Sequence, residues 1–264
     1  MSIYANQSTL VFFVAMAAVL GAVGGSFLNC AAWRIVRGES FINGRSHCAT
    51  CGHPLGAAEL IPVVSWLIQR GRCKWCGEKI SPRYPLSELG FAALTVLCLL
   101  RFDLTIVFLR NFLFLGCLYM LTLTDLESMI IPDGCHIAAV IIWALALPFT
   151  FTGWGDVFRS VLAALTYGGA LLGLSLIMDK VMGRDTLGGG DIKLFAVVGL
   201  YLGFVGTLFA VLLSCVLGLA LQAIMKRGKQ GGGAFPFGPA IAISAAVMLL
   251  YGAPLVAWYG GLLQ

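Results

Sequence analysis

The sequence predicts an all-α polytopic membrane protein with about eight transmembrane helices and one small polar segment between the first two. Three observations predict it. Of 264 residues, 59% are apolar and only 11% charged, whereas a soluble domain carries about 25% charged residues; the mean hydropathy is +0.94. The apolar residues gather into runs, and roughly 20 helical residues cross a hydrocarbon core. The basic residues are unevenly placed, with eight of the 17 Lys and Arg between Arg34 and Arg83. That clustering marks a cytoplasmic segment and allows contact with acidic lipid. It gives no support to a nucleic-acid partner, despite the net charge of +5.

The first apolar run, 9–33, is too long for a signal-peptide core and has no basic residue before it. It reads as an uncleaved helix with its N-terminus outside and its basic end inside. The polar stretch 34–88 follows. Further apolar runs lie at 86–100, 104–123, 137–151, 157–178, 194–204, 207–225 and 240–258. Those at 86–100, 137–151 and 194–204 are short for a span, which local thinning or burial accommodates. With an outer N-terminus, the inner segments 34–88, 124–136, 179–193 and 226–239 hold 14 of the 17 basic residues. This divides the chain into a first transmembrane helix (1–33), a cytoplasmic segment (34–88) and a transmembrane domain (89–264). The same topology brings three polar features to one side: the segment 34–88, the run 124-TDLESMIIPDG-134 and the glycine-rich 183-GRDTLGGGDIK-193. The Gly- and Pro-rich 228–239 reads as a flexible inner loop.

Within the polar segment stand 48-CATC-51 and 73-CKWC-76, separated by 21 residues. That is one more than the roughly 15–20 of two-knuckle zinc sites. Each turn can aim two thiolates at one ion, and four thiolates complete the closed tetrahedral shell of structural zinc. Cys48, Cys51, Cys73 and Cys76 are therefore the expected ligands, with a folding role and no open position for substrate. Two disulfides fit poorly with a cytoplasmic location, and a redox site would need one pair. His47 and His53 are adjacent spares. The remaining cysteines, 30, 98, 117, 135 and 215, fall in apolar runs and pack as small hydrophobes.

Asp125 ends one apolar run and Asp191 precedes another. Both fall at cytoplasmic helix ends, where two carboxylates sharing one proton can activate water and polarise a peptide carbonyl. Ionisable residues at membrane depth are functional candidates. Acidic residues at helix ends also mark solvated boundaries, the reading given to Glu127, Asp133, Asp179 and Asp185. By spacing alone the two accounts of Asp125 and Asp191 stay open.

The combination is more specific than its parts. The chain resembles the bacterial type IV prepilin peptidases, through 25-GSFLNCAAWR-34, the paired cysteines, 81-SPRYPLSELG-90, 124-TDLESMIIPD-133 and 188-GGGDIKLFAVVGLYLG-203, in that order. The resemblance implies a polytopic inner-membrane aspartic peptidase with a cytoplasmic active site. It would remove the basic leader from prepilins or pseudopilins, serving type IV pili or type II secretion. It would then methylate the new N-terminal amine with S-adenosylmethionine. On this resemblance the catalytic pair is Asp125 and Asp191, the latter in the G-x-G-D motif with Gly188 and Gly190, and the four cysteines form the metal motif. Glu88, with Asn29, Arg34, Arg83 and Tyr84, lies in family motifs and either supports the site or methyl donor or serves folding. Lys193 either stabilises a nearby carboxylate or snorkels at a helix start. No glycine-rich nucleotide fingerprint locates the methyl donor. Two alternatives remain: a presenilin-like intramembrane aspartic protease, which lacks a cysteine-rich insert, and a proton-coupled transporter, which leaves that insert unexplained.

Overall fold

A computed structural model describes residues 3–41, 44–183, 186–226 and 235–262. The described chain is helical: α1 (Gln7–Val36), a short α2 (Val64–Ile68), α3 (Arg83–Phe102), α4 (Ile106–Ser128), α5 (Asp133–Thr150), α6 (Trp154–Met182), α7 (Gly189–Lys226) and α8 (Gly238–Leu262). All but α2 are long and apolar enough to cross a membrane, seven among the described residues. That is one fewer than the eight runs in the sequence, because 194–204 and 207–225 belong to one element, α7. The short runs gain polar end turns: 86–100 becomes Arg83–Phe102, and 137–151 becomes Asp133–Thr150.

The chain divides into two compact units, Met1–Phe112 and Leu113–Gln264. α3, which runs across the boundary read at 88/89, packs on α1 within the first unit. In the first unit α1 starts at an Asn6 cap, whose side-chain oxygen accepts from the Thr9 N–H at 2.7 Å. Its glycines then let α3 approach backbone to backbone. A Cβ at Gly21 would stand 2.6 Å from the Ala92 Cα, so this crossing depends on small residues, as membrane helix pairs commonly do. Asn29 fastens the same pair by donating to Ser87 Oγ at 2.5 Å.

In the second unit, α6 and the start of α7 run antiparallel: Gly199 faces Ala164, while Gly168 faces Ala196. α5 and α7 run parallel, joined by Lys193 to Asp133 and by Tyr201 to the Ala139 carbonyl. α7 is not one rod. Its 38 residues would span about 57 Å if straight, nearly twice the about 30 Å hydrocarbon core. Gly203 interrupts it at φ 65° and ψ −168°, a conformation open to glycine and closed to most residues. Along an unbroken helix Gly218 would stand about 40 Å from Asp191. Instead, a Cβ at Gly218 would lie 2.6 Å from the Phe237 ring. The adjoining Gly238 bonds Asp125 at the end of α4, and the linker that follows α4 touches Gly190, beside Asp191, through Ile131. The chain therefore folds back at Gly203, and the two runs read in the sequence are the two arms of this reversal.

Candidate active site and metal centre

Asp125 occupies the last full turn of α4 and is 3% exposed. Its Oδ2 accepts the Gly238 backbone N–H at 2.8 Å, at the N-terminal end of α8, where unpaired N–H groups and the helix dipole favour an anion. Only glycine fits there, since a Cβ on residue 238 would stand 2.7 Å from that oxygen. One turn on, the Met129 N–H closes the helix on the Asp125 carbonyl at 2.9 Å. The Met129 φ of 55° then swings the chain out of α4.

Asp191 lies in the first turn of α7, with its N–H bonded to the Gly188 carbonyl at 3.0 Å. Gly190 lets this turn press on the linker from α4 to α5: a Cβ there would collide with the Ile131 Cβ at 2.9 Å. The two motifs thus meet, the Gly190 backbone lying against the Ile131 side chain. Oδ1 of Asp191 is buried and has no hydrogen-bond partner among the described residues. An orphaned carboxylate oxygen is costly; ionised, it takes a donor such as water, and protonated, it can donate to a carbonyl.

The other expected residues fall out as follows. Lys193 pairs with Asp133 at 2.7 Å, both more than half exposed, a contact worth at most about 1 kcal/mol. Asp179 accepts from the backbone and hydroxyl of Thr186 and so closes the end of α6. Asp185 lies outside the described residues. Glu88 belongs to the first unit, where its carboxylate accepts the Val63 N–H at 2.7 Å.

The four cysteines converge. Their sulfur atoms all lie within 4.8 Å of one another, and Cys48 Sγ stands 3.9 Å from Cys76 Sγ. A tetrahedral ion with about 2.3 Å zinc–sulfur bonds sets its ligands about 3.8 Å apart, so the cluster has the size such an ion requires. The two knuckles are built alike. In the first, Cys48 N–H donates to the His53 carbonyl and Gly52 N–H to the Cys48 carbonyl; in the second, Cys73 donates to Glu78 and Gly77 to Cys73. Gly52 and Gly77 turn each knuckle at φ 71° and 73°. Backbone N–H groups of Cys51 and Thr50 pull the Cys48 thiol down to about 6. Cys76 is favoured as thiolate by the Glu78 backbone, yet desolvation and the neighbouring sulfurs push it up to about 12. Four sulfurs so close resist joint ionisation without a cation among them.

A cavity of about 420 Å³ opens beside these knuckles, lined by α1, the cysteine turns, α2 and α3. Hydropathy and spacing gave no signal for it, nor for the backbone donor at Gly238. The Pro-x-Gly stretch that ends at Gly238 was visible, but not its partner far back in the chain.

The sequence matches the family described as "Bacterial Peptidase A24 N-terminal domain" over residues 19–102 and the "Type IV leader peptidase family" over residues 112–223. A Bacillus subtilis protein named prepilin leader peptidase/N-methyltransferase is 34% identical over 255 residues, covering 91% of this chain and 95% of that relative. The chain belongs to the type IV leader peptidase family. Relatives of the same name from Pseudomonas putida and Neisseria gonorrhoeae are each 30% identical and cover 91% and 90% of this chain, and 91% and 90% of their own. The two family matches part between residues 102 and 112, close to the division of the compact units after Phe112. Together with seven apolar helices, membership identifies a multi-pass bacterial membrane protein. No solved structure matches the chain.

Proposed function

We propose that this protein is a prepilin leader peptidase and N-methyltransferase of the bacterial inner membrane. It cuts the basic leader from prepilins or pseudopilins by aspartate-dyad water activation, then methylates the new N-terminus with S-adenosylmethionine. The observation that carries the peptidase reading is the meeting of Asp125 and Asp191 on opposed helix ends with unlike partners. Asp125 receives a backbone N–H from Gly238, which suits the ionised member that takes a proton from water. Asp191, with an oxygen lacking any donor, suits the member that holds the shared proton and gives it to the peptide carbonyl. Water adds to give a tetrahedral diol; as its C–N bond breaks, the leaving amine takes from Asp125 the proton removed from water, and the new carboxyl group returns a proton to Asp191.

The fourteen basic residues of the inner segments support a periplasmic N-terminus and a cytoplasmic site. A prepilin is an apolar helix with a basic cytoplasmic tail, so its scissile bond meets the membrane boundary where Asp125 and Asp191 stand. The cysteine cluster fits a structural zinc ion held by Cys48, Cys51, Cys73 and Cys76; bound there, the ion would supply cross-linking of a small module and no Lewis-acid step.

The test is cleavage of a purified prepilin by the detergent-solubilised chain, read by mass, with Asp125→Asn and Asp191→Asn compared at equal folded concentration. Each variant is expected to lose cleavage by at least about 10³-fold. Substantial cleavage by either would sink the dyad.

A further inference from the structure

Resting on the methyltransferase reading, we infer that the cavity beside the cysteine knuckles is the site of the methyl donor, a purine-bearing sulfonium of the S-adenosylmethionine type. Its volume of about 420 Å³ falls within the about 300–1,000 Å³ of small-molecule sites. Two indoles, Trp33 of α1 and Trp66 of α2, line it, and aromatic faces attract cations and stack on purines. The wall carries Glu59, Glu78 and Glu88 against Arg34 and Lys79. One acid in excess complements a ligand whose sulfonium, ammonium and carboxylate leave one net positive charge. A phosphate-bearing ligand would meet the wrong sign.

The walls are fixed before any ligand arrives. Trp66 donates its indole N–H to the Ile80 carbonyl at 3.1 Å, and its ring lies so near Gly71 that a Cβ there would stand 2.8 Å away. Trp33 also meets the Arg37 guanidinium, 4.1 Å from the ring centre, and the His47 ring in a T-shaped contact. Most telling is Val63, a β-branched residue at φ 61° and ψ −50°, a conformation such residues avoid. The buried Glu88 carboxylate takes its N–H at 2.7 Å and so holds the strained turn that aims α2, and with it Trp66, at the cavity. Backbone strain kept in place by a buried charge is found where a site must be preorganised. Glu88 is thus a positioning residue of the donor site.

The experiment uses the full chain in detergent with S-adenosylmethionine labelled in its methyl group. Equilibrium binding is measured first. Ultraviolet cross-linking of the bound donor follows, with the labelled peptide mapped by mass. Wild-type protein is expected to bind, with label on the peptides carrying Trp33 or Trp66. Ser26→Phe, which fills the cavity from α1, is expected to weaken binding at least tenfold. Glu88→Leu, which removes the Val63 clamp, is expected to weaken it as well, and Glu88→Gln, which keeps an acceptor for that N–H, to retain most of it. Tight binding by Ser26→Phe with label mapped elsewhere overturns this site and leaves the methyltransferase reading standing. Failure of folded wild-type chain both to bind the donor and to methylate a pre-cut peptide overturns that reading and the site with it.

Discussion

The backbone N–H of Gly238 donates to Oδ2 of Asp125 at 2.8 Å, and no side chain larger than hydrogen fits at that glycine. Gly238→Ala would drive a methyl group to 2.7 Å from the carboxylate. A hydrogen bond to a charged group contributes about 1.5–3 kcal/mol, so cleavage is expected to fall about 10- to 100-fold. Prepilin turnover measured by mass checks it, and a wild-type rate would show that the bond is dispensable.

Metal content is the second expectation. Freshly purified, reduced protein should carry close to one zinc per chain by elemental analysis, lost in the Cys48→Ser/Cys51→Ser double variant. Because a four-thiolate ion organises the module, the double variant should also become protease-sensitive between residues 34 and 83. Metal-free wild-type protein would rule the site out.

The two chemistries should separate by unit, since the cysteine module and Asp191 fall on opposite sides of the division at residue 112. Given a peptide already lacking its leader, Asp191→Asn is expected to methylate at near wild-type rate, while the cysteine double variant loses most methylation. Loss of methylation in folded Asp191→Asn would mean that the two reactions share groups.

His136 offers a stability test. Its side chain is 7% exposed, and among the described residues neither ring nitrogen has a hydrogen-bond partner of normal geometry; the Gly190 backbone lies nearby, and the Asp133 carboxylate, paired with Lys193, stays 3.9 Å away. Replacing an unpaired buried polar group by an apolar one of similar size is neutral or stabilising. His136→Leu is therefore expected to hold or raise the melting temperature. A fall of several degrees would reveal a partner that the ring acquires in the working protein.

Much of this architecture was legible in residue pattern. Long apolar runs announce spanning helices, and the paired cysteines announce a four-sulfur cluster, because both signals are local. The end turns at Arg83 and Asp133 were missed because interfacial turns are polar and hydropathy stops short of them. The packing of α3 on α1 was not visible, because it is set by glycines meeting a facing backbone, which no single run displays. Val63 and Gly238 were invisible for a related reason: each acts through a partner, Glu88 or Asp125, that neighbouring residues do not indicate. Gly203 was half visible, as a gap of two residues between apolar runs, but the sharpness of the reversal is a backbone property.

The bond from Gly238 to Asp125 joins residues 113 positions apart, and it has a consequence for biosynthesis. A ribosome adding about 5–20 residues per second delivers Asp125 to the membrane well before the start of α8 exists. Throughout that interval the emerging chain has one aspartate without its backbone donor, and Asp191 arrives while that donor is still to be made. The Asp125 carboxylate gains that donor only when α8 takes its place, so its setting at the end of α4 is completed late in synthesis.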